Sequence, residues 1–179
     1  GVKHARLQSG WAKCEKEMGI YNFAWLDSCV YGLVEQAVEP WICLCYGNPV
    51  YKSEFRLGAK VFTDEETMEG WLKYVDATVN RYKNVVKEWE VWNEPNLALE
   101  WGFHPVSPEE YTQLLCTAYG SAKQANPDVQ VLGGALAPNL APEGDQWAMN
   151  DLDYLERMLA AGAGDCFDIL AVHAYGWMY

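Results

Sequence analysis

Polar groups capable of chemistry gather at five places where an apolar run ends. These are Arg6-Leu7-Gln8, Tyr46-Gly47-Asn48-Pro49, Trp92-Asn93-Glu94-Pro95, Gly133-Gly134-Ala135 and His173-Ala174-Tyr175. The third is the most informative. Glu94 offers a carboxyl that can give and take a proton, and Asn93 an amide that both donates and accepts hydrogen bonds. Arg6, His173 and Tyr175 add a fixed cation, an imidazole and a phenol. Four of the five ends carry polar or aromatic groups suited to holding a sugar. None cradles phosphate: Gly133-Gly134 lacks the later glycine of a dinucleotide fingerprint, and no GxxxxGK occurs. His4, His104 and His173 share no ligand spacing, so no metal is expected, and no cofactor. Each residue also has a plain structural use. Glu94 could be an exposed loop carboxylate, Asn93 a turn former before proline, and Arg6 an ion-pair partner of Glu90. His173 could be a satisfied core histidine, and Tyr175 a half-buried tyrosine.

The elements between these ends follow an alternating rhythm. Val2 to Leu7 reads as a strand, and Phe23, Leu26, Val30, Leu33 and Val34 have helical spacing. Pro40 opens a strand over Trp41 to Tyr46. Thr63 followed by Glu66 forms a capping box for a helix through Trp71, Leu72, Val75 and Val79 to about Lys83. Glu88 to Trp92 is the third strand, with Pro95 forbidding further pairing. Ser107-Pro108-Glu109-Glu110 is an N-cap followed by proline at the first helical position, and Asn126-Pro127 ends that helix. Val129 to Leu132 is a strand followed by Gly133-Gly134, Asp151 to Ala161 a helix with Gly162 past its end, and Ile169 to His173 a strand. This β-α order predicts one α/β unit spanning residues 1–179, in which function collects at the C-terminal ends of parallel strands.

Composition narrows the partners. The 179 residues are 50% apolar and 14% aromatic, which excludes a disordered chain. Lys+Arg number 13 against 25 Asp+Glu, a formal charge of −12 that repels phosphate backbones and anionic bilayers. A soluble enzyme with a neutral substrate fits; nucleic acid and membrane do not. No apolar run approaches the roughly eighteen residues of a membrane helix, and no signal peptide opens the chain. The six cysteines (14, 29, 43, 45, 116 and 166) contain no CxxC and are expected to be thiols in a reducing compartment, the cytoplasm by default. Nothing in the sequence sets an oligomeric state.

The strand ending in Trp92-Asn93-Glu94-Pro95 resembles the fourth strand end of clan A glycoside hydrolases, the retaining (β/α)8-barrel (TIM barrel) glycosidases. With Arg6 ending an early strand and His173-Ala174-Tyr175 a later one, the whole chain is most similar to glycoside hydrolase family 39, the β-xylosidase/α-L-iduronidase family. The resemblance implies that the chain supplies strands two to six of the barrel, and that a glycoside or oligosaccharide is the substrate. It implies hydrolysis of O-glycosidic bonds by double displacement. Glu94 would protonate the leaving oxygen and then act as base on water, which calls for a carboxyl of raised pKa. Asn93 would hold the sugar 2-hydroxyl, Arg6 would stand beside the nucleophile, His173 would bond substrate, and Tyr175 would contact the nucleophile's carboxylate. Trp92 and Trp101 flank the Glu94 loop and are expected to be sugar platforms. A retaining site needs a second carboxylate about 5 Å from the first. The family places it on a Glu ending strand seven, beyond residue 179, and Asp145, Asp151 and Asp153 lie in the wrong place for it. Two other readings stand beside this one: a non-catalytic carbohydrate-binding or pseudoenzyme α/β domain, and a flavodoxin-like domain with strand order 2-1-3-4-5.

Overall fold

The strand expected over Val2 to Leu7 forms two residues later at its start and one at its end, as β1 (His4–Gln8), and it begins a series of parallel strands. The computed structural model describes residues 1–51 and 65–175. After β1 come α1 (Trp11–Cys14), a short hairpin of β2 (Glu15–Glu17) and β3 (Ile20–Tyr21), α2 (Ala24–Glu35) and β4 (Glu39–Leu44). There follow α3 (Glu65–Tyr82), β5 (Glu88–Val91), α4 (Pro108–Ala125), β6 (Gln130–Leu136), α5 (Asp151–Ala160) and β7 (Ile169–Val172). The main sheet runs β1-β4-β5-β6-β7, every pair parallel. Strict sequential order is that of a barrel arc and contradicts the 2-1-3-4-5 order of a flavodoxin-like sheet.

Two faces divide the sheet. On the helix side Ile42, Leu44, Trp89, Val91 and Val131 join Trp71, Tyr74, Val75, Tyr111, Leu115 and Met158 in one apolar core. Strand alternation turns Glu90 away from Trp89 and Val91, to the opposite face. There Arg6 meets it. The helix starts follow from capping chemistry: Ser107 accepts from the Glu110 N–H with Pro108 in the first turn, and Asn150 accepts from the Leu152 N–H. The expected Thr63 cap lies outside the described residues.

Residues 11–21, where the sequence marks no element, form α1 and the β2–β3 hairpin, too short for periodicity to reveal. Two expectations are corrected. Gly133-Gly134 does not follow the fourth parallel strand but lies within it, at an irregularity between Gly134 and Leu136. Gly134 has φ +100°, and a Cβ there would stand 2.8 Å from the Ala171 carbonyl oxygen. Only glycine fits. Finally, Cys116 and Cys166 form a disulfide that ties α4 to the segment before β7. Two of the six cysteines are therefore not thiols, and the argument for a reducing compartment loses its premise.

The hairpin is anchored by a buried carboxyl group. Glu15 accepts from the Trp11 indole at 2.5 Å, the Tyr51 hydroxyl at 2.5 Å and the Gly19 N–H at 2.6 Å. Asn48 donates to the Glu15 carbonyl oxygen at 2.7 Å. The segment after β1 is thereby fastened to the segment after β4.

Candidate active site

The strand ends leave the sheet through unusual backbone. Tyr46, Trp92, Glu94 and Ala135 all have positive φ, with values of 70°, 70°, 45° and 49°. Non-glycine residues in this region cost free energy and persist where surrounding contacts hold them. The Tyr111 hydroxyl of α4 supplies one such contact, donating to Val91 O at 3.0 Å while accepting from Gly134 N at 2.7 Å. Asn96 supplies another. Its amide donates to Ala137 O and Met149 O and accepts from Ala137 N, joining the segments after β5 and β6. Glu94 N–H itself donates to Ala135 O at 3.1 Å. The residues around Glu94 are thus pinned from two sides.

Beneath that rim lies a charged network. Arg6 makes a two-pronged contact with Glu90, Nε to Oε2 at 2.7 Å and Nη2 to Oε1 at 2.8 Å. The same Nη2 donates to Asn93 Oδ1 at 2.9 Å, and the Trp41 indole donates to Glu90 Oε2 at 3.0 Å. His173 completes the set, with Nδ1 2.7 Å from Glu94 Oε1 and Nε2 3.8 Å from Glu90 Oε1. The first is a hydrogen bond and the second an ion-pair separation without one. Glu90 is only 2% exposed and Asn93 7%.

Burial opposes the Glu90 charge, yet His173 and the Arg6 hydrogen bonds hold its pKa below the usual carboxylate value. The same carboxylates, Glu90 first and Glu94 second, raise His173 to about 9 against burial and the Arg6 charge. Burial likewise disfavours the Arg6 cation, but the Glu90 hydrogen bond and charge, acting with the neighbouring Cys43 and Cys45, together raise its pKa. The rise at His173 favours the protonated ring at neutral pH, beside Glu90 and Glu94. Among the described residues no cluster of three His, Cys, Asp or Glu could hold a metal ion.

This arrangement can hold a proton beside a rim carboxylate and present an oriented amide next to it. The profile of Glycosyl hydrolases family 39 matches residues 10–175. The chain belongs to this family. Its fold resembles a family 39 glycoside hydrolase of Bacteroides cellulosilyticus WH2 at 25% identity and TM-score 0.71, covering 95% of this chain and 32% of that one. A family 39 enzyme of Xanthomonas axonopodis pv. citri matches at 19% and 0.70, covering 97% of this chain and 35% of the other. A family 39 β-xylosidase of Caulobacter crescentus matches at 20% and 0.68, with 97% and 40% covered. The chain therefore spans 32–40% of the length of these relatives, and its five parallel strands are part of a (β/α)8 barrel.

Within this family 39 chain, Arg6, Asn93, Glu94 and His173 converge in two hydrogen-bonded groups, Arg6 with Glu90 and Asn93, and His173 with Glu94, which the 3.8 Å contact of His173 with Glu90 brings together. The structural use foreseen for Arg6, pairing with Glu90, coexists with its contact to Asn93. Tyr175 stands at the margin: it is 58% exposed, its ring edge-on to His173 at 5.8 Å between centroids. Trp92 and Trp101 are not platforms in this structure. Left-handed backbone at Trp92 turns its ring into the core, where Nε1 donates to Glu100 O at 3.0 Å. Its ring packs edge-on to Trp101 at 5.3 Å and to Tyr46 at 6.1 Å, and both tryptophans are 0% exposed. No ring face is left for a sugar.

Sequence reasoning missed a second polar row on the rim. Gln8 donates to the Tyr46 hydroxyl at 3.2 Å, and that hydroxyl donates to Glu100 Oε2 at 2.9 Å. Gln8 and Tyr46 were visible as strand ends; Glu100 lies six residues past Glu94, where no pattern marks it. Tyr111 and Asn96 gave no signal either, being a helix-face tyrosine and a residue after proline.

Proposed function

We propose that the full-length protein hydrolyses O-glycosidic bonds with retention, Glu94 serving as general acid and then general base. The observation that carries this is the convergence of Asn93, Glu94, Arg6 and His173 at one strand-end rim of a family 39 fold. Glu94 protonates the departing oxygen as the anomeric carbon passes to a second carboxylate, then accepts a proton from water in the hydrolytic step. Asn93, with its amide oxygen held by Arg6, directs its N–H₂ toward the sugar 2-hydroxyl, a contact that strengthens in the transition state. Tyr175 stands beside His173 at the margin of the site. The substrate is a neutral glycoside, in keeping with the acidic chain, and aryl β-xylosides head the panel to be assayed because one structural neighbour is a β-xylosidase.

The test is Glu94→Gln in the full-length enzyme. Turnover of glycosides with poor leaving groups should fall by about 10²- to 10⁴-fold. Activated aryl glycosides need no protonation and should lose far less in the first step, with azide restoring the second. Equal losses on both, without rescue, would leave Glu94 a structural carboxylate, and a full-length protein that binds glycosides but hydrolyses none would favour a carbohydrate-binding role.

A further inference from the structure

Trp92 and Trp101 leave no ring face for a sugar, yet one indole on the same rim is open. Trp147, on the segment between β6 and α5, is 59% exposed. Among the described residues no other tryptophan exceeds 39%, and that one, Trp25, lies under the Lys13 ammonium, 4.0 Å from its ring centroid. The Trp147 backbone is held on both sides. Asp145 Oδ1 accepts from its N–H at 2.7 Å and from the Ala148 N–H at 3.0 Å, and the Trp147 carbonyl oxygen accepts from the Ala98 N–H at 2.7 Å. The Ala98 carbonyl oxygen in turn accepts from the N–H of Phe103, itself 57% exposed, at 2.7 Å. Two open aromatic residues thus gather about Ala98, four residues past Glu94. Exposed apolar side chains scattered singly are commonplace, whereas grouped ones mark a contact surface. Toward α5 the same segment borders a separate cavity of about 620 Å³, walled by Val106, Gln146, Ala148, Met149, Asp153 and Arg157. Both chain neighbours of Trp147 line that cavity, and its own ring stands outside it.

The direction in which substrate crosses the rim follows from the two residues at the end of β5. Asn93 turns its amide oxygen to Arg6 on β1, and Glu94 turns its carboxylate to His173 at the end of β7. In the order β1-β4-β5-β6-β7 these are opposite flanks. The glycone, whose 2-hydroxyl meets Asn93, lies on the β1 flank. The glycosidic oxygen that Glu94 protonates, and the leaving group beyond it, lie on the β6–β7 flank. The rim segment that follows β6 is the one that carries Trp147. We propose that Trp147 is the platform for a leaving-group sugar, its indole stacking on the apolar C–H face of the pyranose next to the scissile bond. The inference rests on the glycosidase reading above and adds to it the seat of the leaving group. A pyranose has C–H groups on its face and hydroxyls at its edge, so an open indole can cover the face while the hydroxyls keep their water. The hydrogen bond from Ala98 to Trp147 ties this platform to the Glu94 loop. Contact with the leaving sugar then holds the glycosidic oxygen within reach of the acid.

Trp147→Ala in the full-length enzyme tests this on two substrates that share a glycone. One is xylobiose, whose leaving group is a sugar, and the other methyl β-xyloside, whose leaving group has no ring; the matching pair serves for any other glycone the aryl panel selects. On the disaccharide kcat/KM should fall about tenfold, and on the methyl glycoside it should stay unchanged. Trp147→Phe keeps a ring face and should recover most of the loss. Equal losses on both substrates, which a purely structural tryptophan would give, overturn the proposal, and so does an unchanged rate on the disaccharide. The glycosidase reading fails separately: Glu94→Gln would then hydrolyse xylobiose at the wild-type rate, and the proposal would fall with it whatever Trp147→Ala does.

Discussion

Two buried glutamates on this chain show how similar carboxyl groups come to have different work. Glu15 is enclosed beside the hairpin and accepts hydrogen bonds only from an indole, a phenol and a backbone N–H. Glu90 is equally buried but is met by Arg6 and His173, and through them it is joined to Asn93 and Glu94 at the rim. Neutral donors satisfy a carboxyl group and stop there. Cationic partners pass its charge on, because each has further bonds to make and a protonation state that responds. The first arrangement fastens two loops; the second sets the charge of a site.

The largest effect expected from this contrast is on stability. Glu90→Ala would leave the half-buried Arg6 guanidinium without its counter-charge, at a cost of up to about 3–5 kcal/mol. Glu15→Gln strands neutral donors only, at about 1–3 kcal/mol. Urea unfolding of both full-length variants decides the matter. Equal destabilisation would erase the distinction.

A smaller effect is expected from pH. The His173 pKa rises from 6.5 to about 9 on folding, so its contribution to stability is fully present below about pH 6.5 and is lost as pH rises through 9. Glu90 has a lowered pKa, so its contribution is present above the ordinary carboxylate range and lost as pH falls through its native value. The melting temperature of wild type should therefore fall more than that of His173→Asn between pH 6.5 and 9.5. Solvent exposure of the ring edge limits the difference to on the order of 1 kcal/mol. Identical slopes would mean that the ring gains no charge stabilisation on folding.

Much of this was legible in the residues. Ser107-Pro108 marked a helix start because capping is local chemistry, and the order of the strands followed from runs long enough to show their period. The Arg6–Glu90 pair was foreseen because alternate barrel strands share a layer. What escaped depends on contacts far apart in sequence. Trp92 looked like a surface aromatic until a left-handed backbone turned it inward, and nothing local announces that φ. Tyr111 bridges Val91 and Gly134 from a helix whose period identifies only a buried face. The Cys116–Cys166 bond joins residues 50 apart, and spacing alone cannot pair them. His173 was placed near substrate, whereas its nearest polar partner is Glu94 itself.

At the centre of the account is a charged ring held between Glu90 and Glu94. The ¹⁵N chemical shifts of His173 in the full-length enzyme report that charge directly, since both ring nitrogens carry protons only in the imidazolium. The expected result is an imidazolium at pH 7 that titrates near 9, with the titration moved lower in Glu90→Gln. A neutral tautomer at pH 7, with one nitrogen unprotonated, would contradict it.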